Sequence, residues 1–395
     1  MRLRGCVAIE LFVGALVATA VSGAAIWGVA ELRGVLGAGQ STATAHADED
    51  SPGLDRAQPD PPEPSTVQVS APASGAEQVL ATAAIGGEPV PEPAEVAGPT
   101  WSGQFLGQSD EELLAPLRDS PVQAVKLNRG GSSLSLRLDF ESGGRAACKP
   151  NQIHLHSQPR RELAAYRVNR LLGLSSVPPS VGRRFQVAEL AERFKAGAAR
   201  DRTRFMAEVV PEREGGSSIL SELTYWVPVL EPAMIEGFDI DTVDGVVTWK
   251  RYLTVGRDIA PESRSMAAQI SDLLMFDFII NNSDRWSGGN IKSSQNQRYL
   301  VFLDNTLAFG GDPNGHNRVR TYLQRSQKFS RRLIERLRQL SQDQLEEALT
   351  RDIDPFPSLL EKYEIRALLK RRDHAIRYID QLIAQHGEDA VLAFP

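Results

Sequence analysis

Asp277-Phe-Ile-Ile-Asn-Asn-Ser-Asp284-Arg285-Trp-Ser-Gly-Gly-Asn290, followed by Val301-Phe-Leu-Asp304-Asn305, is the stretch that decides how this chain reads. An apolar run ends at Ile280, a polar loop carries Asp284, Arg285 and Asn290, and a second apolar run delivers Asp304. The pattern predicts a helix end, a loop and a buried strand, in that order. Phosphoryl transfer from a nucleotide needs these parts. One carboxylate orients the attacking hydroxyl, while a second carboxylate and a neutral oxygen donor hold divalent cations on the phosphates. A kinase is therefore the leading expectation.

Upstream, Val122 to Leu127 reads as a strand and Asn128 to Ser133 as a loop with Gly130 and Gly131. Leu134 to Phe140 alternates apolar and polar residues, Ser142 to Gly144 turns the chain, and Arg145 to Lys149 returns as a third strand. A nucleotide-covering sheet has this layout, because glycine lets the backbone approach phosphates closely. Glycine turns are common punctuation, so Gly130 and Gly131 gain weight only from Lys149 and the later motif. A helix follows from Arg161 to Leu172, closed by Gly173. Glu162 in its first turn is expected to meet Lys149 and hold it against the phosphates; the plainer reading is that it favours the positive helix N-terminus.

Strands are expected at Val181 to Val187 and at Phe205 to Val210, with a charged helical excursion between them. Ser221 to Leu230 reads as a buried strand leading into an apolar connector, the expected hinge for an adenine ring. Trp226 is a candidate stacking residue there, although a tryptophan is more often plain core. Met266 to Ile280 has the spacing of a strong helix, and Tyr299 to Leu303 that of a strand. From Gln324 to Gln385 the chain reads as helical, with Arg-rich segments at Ser330 to Leu340 and Lys362 to Ile383 whose basic faces are solvated surface.

The chain has 395 residues, long enough for a two-lobed domain of roughly 300 residues behind a non-globular front. A net charge of −6 argues against a nucleic-acid partner. Cys6 and Cys148 are too differently placed to pair, so the core must hold the fold. Arg2 and Arg4 precede an apolar run from Val7 to Ala30, interrupted by Glu10 and about long enough to cross a bilayer. The positive flank predicts a cytoplasmic N-terminus, a single-pass membrane anchor and a folded part that is extracytoplasmic or lumenal. The competing reading is a cleaved signal peptide, but Ala45-His46-Ala47 lies far beyond the apolar run. The Pro- and Ala-rich segment that follows cannot bury enough apolar surface to fold and reads as a disordered stalk. The expected division is a tail at 1–6, a transmembrane anchor at 7–30, a stalk at 31–100, an N-lobe at 101–230 and a helical C-lobe at 231–395.

At Ala147-Cys-Lys149-Pro-Asn151, Arg161-Glu-Leu-Ala-Ala-Tyr166, Asp277-Phe-Ile-Ile-Asn-Asn-Ser-Asp-Arg285 and Phe302-Leu-Asp-Asn305 the chain resembles the four-jointed family and related secretory-pathway (Golgi) atypical kinases. The likeness runs in order from about Val125 to Ile383. It implies an α+β, two-lobed, atypical protein-kinase-like fold. On matching positions, Lys149 looks like the phosphate-binding lysine, Glu162 its helix partner and Asp284 the catalytic aspartate. Asp304 looks like the metal-binding aspartate, and Asn290 like the loop asparagine that completes the metal site. The implied cofactors are ATP with Mg²⁺ or Mn²⁺, and the acceptor is a hydroxyl of a protein (Ser or Thr) or of a glycan.

Asn290 stands six residues after Asp284, where five is the usual spacing. That lengthening favours a second reading, a pseudokinase serving as a membrane-tethered binding module. Retention of Lys149, Glu162, Asp284 and Asp304 together argues for turnover. A metal-dependent hydrolase built on Asp284 and Asp304 is a third reading, weakened by the lack of a nearby histidine constellation. His154 and His156 read as loop residues and not as a metal pair, since no third ligand is evident.

Overall fold

The computed structural model describes residues 103–395 except Gly130, Ser287, Gly288 and Asp354. The expected anchor and stalk lie outside the described residues, as does Cys6. Among the described residues no helix is long and apolar enough to cross a membrane.

An antiparallel five-stranded sheet carries the first half of the site. Its strands are β1 (Val122–Leu127), β2 (Leu136–Phe140), β3 (Arg145–Pro150), β4 (Ser180–Gln186) and β5 (Ser218–Tyr225), arranged β1-β2-β3-β5-β4. Side-chain alternation sorts the faces. In β2, Leu136, Leu138 and Phe140 are buried and Arg137 and Asp139 are half-exposed; in β3, Ala146 and Cys148 are buried while Lys149 points the other way. Register then places Lys149 directly opposite Glu222 of β5. It also pairs Leu136 with Cys148, which brings the β1–β2 glycine turn to the Lys149 end of β3. β5 reads as a continuous buried run from Ile219 to Leu223 because strands flank it on both sides.

Helix α1 (Asp110–Asp119) starts at a capping box in which Ser109 and Glu112 satisfy each other's backbone donors. Helix α2 (Pro159–Leu171) begins with proline at its first turn, where no amide hydrogen is needed. It ends at Gly173, whose φ of +73° suits glycine and lets the Gly173 and Leu174 amides close the last turn. Both α1 and α2 pack against β4 and β5.

The expected strand at Phe205 to Val210 is corrected: the chain forms α3 (Val187–Glu192) and then α4 (Ala199–Glu208). Phe205 and Val209 lie four apart and are buried, whereas Met206 and Val210 are exposed. Helical spacing won over a short apolar run that periodicity alone leaves ambiguous.

In the second half, α5 (Val243–Tyr252) is followed by α6 (Arg264–Ile280), which is buried almost all round, as its apolar composition requires. It packs on α7 (Asn317–Leu323) and on the long α10 (Lys362–His386). Asn281 closes α6 in the left-handed conformation at φ +58°, which asparagine tolerates. A small sheet of β6 (Glu231–Pro232), β7 (Ile291–Ser293) and β8 (Leu300–Phe302) brackets the polar loop. The helices α8 (Arg331–Gln339) and α9 (Gln342–Thr350) complete the expected helical C-terminal region.

Candidate active site

Lys149 is the centre of the site. Its Nζ donates to Glu162 Oε1 at 2.6 Å and to Asp304 Oδ1 at 2.8 Å. The lysine comes from β3, the glutamate from α2 and the aspartate from the turn after β8. The lysine side chain is 14 % exposed, the glutamate 7 % and the aspartate 40 %, so the triad opens to solvent on the Asp304 side. Burial works against the lysine charge, but Glu162 and Asp304 outweigh it and hold the ammonium above its ordinary range. Burial likewise opposes the charge of Asp304, and Lys149, Thr306 and Arg285 overcome it, keeping this carboxylate below the usual range.

The backbone at Asp304 is held in a conformation unusual for aspartate, with φ +55°. Two asparagines secure it. Asn282 Nδ2 donates to the Asp304 carbonyl at 3.1 Å, and Asn305 donates twice to Glu162 Oε2, from its backbone at 3.0 Å and its side chain at 3.1 Å. Thr306 Oγ1 donates to Asp304 Oδ1 at 2.9 Å. Among the described residues Asp304 Oδ2 takes no hydrogen bond.

Asp284 is half-exposed on the loop after α6. Its amide donates to Asn282 Oδ1 at 3.2 Å, a short Asx turn. Asn290 Nδ2 lies 3.3 Å from the Asp284 carbonyl and 3.5 Å from Asp284 Oδ2. Gly289 takes up part of the extra length at φ +85°. Arg285 is fully buried and braces the loop from beneath: its Nε donates to Asp277 Oδ1 at 3.1 Å, its Nη2 to Asn305 Oδ1 at 2.5 Å, and its Nη1 to the Leu303 carbonyl. Burial pushes Asp277 up to about 6, with Arg285 pulling in the opposite direction. Removing one partner leaves a buried charge, so Arg285→Met should cost about 3–5 kcal/mol. Chemical denaturation would measure this, and a loss below about 1 kcal/mol would refute the bracing role.

The other expected site residues are spread along β3. Trp226 follows β5, donates its amide to Arg145 at 3.2 Å, and carries the Arg137 guanidinium 5.8 Å from its ring centroid. It stands near the start of β3, four residues and about 13 Å along the strand from Lys149. Gly131 sits exposed at the opposite end with φ +77°, and Gly130 lies outside the described residues. Gln152 ties the base of that turn to the chain beyond Lys149, exchanging hydrogen bonds with the backbone of Leu134 at 2.6 and 2.8 Å. His154 and His156 join no cluster of metal-binding side chains among the described residues.

Several participants were not anticipated. Asn282 and Asn305 stood inside the opening stretch, where asparagines beside a catalytic-type aspartate were the available signal. Glu222 is a carboxylate in an otherwise apolar strand, itself a warning of function or cost. It lies behind Lys149, accepts from Thr224, and is pushed up to about 8 by burial and then by Glu162, against the pull of Thr224, Lys149 and Ser180. The folded protein therefore holds this proton between the ordinary glutamate value and about 8, while the unfolded chain does not. Stability should fall across that window by about 1 kcal/mol per pH unit from this group. Glu222→Gln should remove that slope, read as melting temperature at pH 6 and pH 9. An unchanged slope would contradict the assignment.

Over residues 248–391 the chain matches the family model described as Golgi casein kinase, C-terminal, Fam20. It is 23 % identical over 342 residues to the pseudokinase FAM20A of Mus musculus, covering 75 % of this chain and 61 % of that protein. It is 22 % identical over 243 residues to the extracellular serine/threonine protein kinase FAM20C of Homo sapiens, covering 51 % of this chain and 41 % of that protein. The chain thus spans about 61 % of the length of the first relative. The crystal structure of the Golgi casein kinase with Mn/ADP bound superposes with a TM-score of 0.55 at 18 % identity, covering 72 % of this chain and 78 % of that one. The mixed α/β, kinase-like fold is therefore shared with the Golgi casein kinase, and in sequence the chain is similar to the Fam20 proteins.

Proposed function

We propose that this protein is a kinase that transfers the γ-phosphate of ATP to a hydroxyl of a protein (Ser or Thr) or glycan acceptor. The observation that carries this reading is Lys149 bridging Glu162 and Asp304 at 2.6 and 2.8 Å across three separate elements. A buried ammonium held by two carboxylates, one of them open to solvent, is an electrostatic cradle for phosphates and their cation.

The residues present fit Mg²⁺ or Mn²⁺. Asp304 is kept ionised and has Oδ2 available, and Asn290 spends its amide nitrogen on Asp284, leaving its oxygen as a hard donor. Two protein oxygens completed by nucleotide phosphates are an ordinary set for such a cation. When bound, the cation would neutralise charge on the phosphates. Lys149 positions the phosphates, with Glu162 and Asn305 fixing its direction. Asp284 orients the acceptor hydroxyl and accepts its proton late in transfer. Arg285 keeps the loop in place without touching substrate. The base would lie toward Trp226 and the phosphates toward Lys149 and Gly131. The expected anchor would tether the catalytic part, with its N-lobe at 101–230 and C-lobe at 231–395, to a membrane.

The pseudokinase reading rests on the six-residue interval from Asp284 to Asn290 and on the Asn290 side chain turning to Asp284. The two readings part in one experiment: labelled γ-phosphate transfer from ATP with Mg²⁺ or Mn²⁺ to a mixed protein and glycan panel. Label on an acceptor establishes a kinase and names its substrate class. Nucleotide binding without label favours the pseudokinase. The absence of both binding and transfer refutes the kinase reading.

A further inference from the structure

The helix that carries Glu162 is held by an ion pair at each end. At its start, Arg160 grips Glu364 of α10 with both guanidinium arms, at 2.7 and 3.1 Å, and Arg161 Nη2 reaches the same carboxylate at 2.8 Å. Glu364 is completely buried, and it also accepts the Glu361 amide at 2.8 Å as part of the α10 cap. Arg160 further donates to the Leu359 carbonyl at 2.7 Å. At the other end, Arg170 grips Asp110 of α1 at 2.6 and 3.1 Å, and Tyr166 Oη donates to the same carboxylate at 3.0 Å. Both Arg170 and Asp110 side chains are 5 % exposed.

Apolar packing of Leu163, Ala164, Ala165 and Val168 sets how deep α2 lies, but it is non-directional and says little about sliding along the axis. Forked, charge-assisted hydrogen bonds are directional. One residue of slip moves a helix about 1.5 Å along its axis, enough to break a hydrogen bond such as Lys149–Glu162. Burial opposes the charge of Glu364, yet Arg160, the Glu361 amide and Arg161 hold it below the ordinary carboxylate range.

We propose that Glu364, gripped by Arg160 and Arg161, is a positioning residue that fixes the axial register of α2 from α10, so that the Lys149–Glu162 pair is assembled before any nucleotide arrives. The Asp110–Arg170 pair fixes the far end. This extends the kinase reading, because the pair so assembled is the one that would meet the phosphates. The geometry of the triad is thus controlled from elements outside the sheet, and its assembly requires no separate activating event.

The test uses the full chain without nucleotide, so that it stands apart from the kinase reading. Amide hydrogen exchange in α2 is compared with exchange in α6, and acylation of Lys149 by an amine-reactive ester is followed by peptide mass spectrometry. Glu364→Gln should speed both α2 exchange and Lys149 labelling by about tenfold while α6 is unchanged. Arg160→Lys with Arg161→Lys should keep only part of the protection, since the charges remain but the two-armed grip of Arg160 is lost. If Glu364→Gln does not fold, Arg161→Gln removes one arm and should raise the same two readouts about threefold. Unchanged labelling, or faster exchange spread evenly over α2 and α6, overturns the proposal. Mn/ADP titration is then added separately: weaker binding in Glu364→Gln supports the proposal. Failure of the unaltered chain to bind would refute the nucleotide reading, and the exchange result would still decide the clamp.

Discussion

Asp304→Ala is expected to abolish metal-dependent nucleotide binding, and phosphoryl transfer with it. The substitution removes the ionised carboxylate whose Oδ2 is available and leaves Asn290 as the remaining protein donor of the proposed pair. It also takes one of two counter-charges from Lys149, whose ammonium would then rest on Glu162 alone. Charge stabilisation in a water-poor site is a large term, and loss of this group should lower transfer at least about 10³-fold. Titration calorimetry with ADP and Mn²⁺ is the direct check; an affinity within about twofold of the unaltered chain would remove Asp304 from the metal site. Since Lys149 keeps Asp304 ionised below the usual carboxylate range, binding should also stay level as pH falls from neutrality toward about 5.

The second large effect separates binding from chemistry. Asp284→Asn should leave Mn/ADP affinity within about twofold and reduce transfer by roughly 10²–10⁴-fold, the usual worth of a positioned general base. The hydrogen bonds of Lys149 go to Glu162 and Asp304, so the phosphate cradle does not depend on Asp284. The Asx turn from the Asp284 amide to Asn282 and the Asn290 contact to the Asp284 carbonyl both use backbone atoms, which asparagine retains. Full transfer by the variant would show that the role is misassigned. Loss of nucleotide binding would place Asp284 on the phosphates or metal instead.

The elements around these residues were largely legible beforehand. Alternation in Leu136–Phe140, the glycine that closes α2 and the apolar run of α6 are local patterns, and each formed as expected. Arg285 stood in the opening stretch as a loop residue, and the fold sets it on both the Asp277 carboxylate and the Leu303 carbonyl. The miss at Phe205–Val210 came from a four-residue apolar spacing too short to separate helix from strand. Trp226 and Gly131 proved to mark opposite ends of β3, a fact that follows from strand register and not from either residue.

What the sequence determined by itself is the inventory: an aspartate loop after a buried helix, an aspartate after a buried strand, a strand lysine and a helix glutamate. Periodicity and capping act over a few residues, so one chain segment suffices to read them. The tertiary structure decided the pairings. Lys149 meets Asp304 across 155 positions, Glu162 meets Asn305 across 143, and Arg160 meets Glu364 across 204. Buried charges must be paired, but which partner each finds depends on how sheet and helices stack, and no local pattern records that.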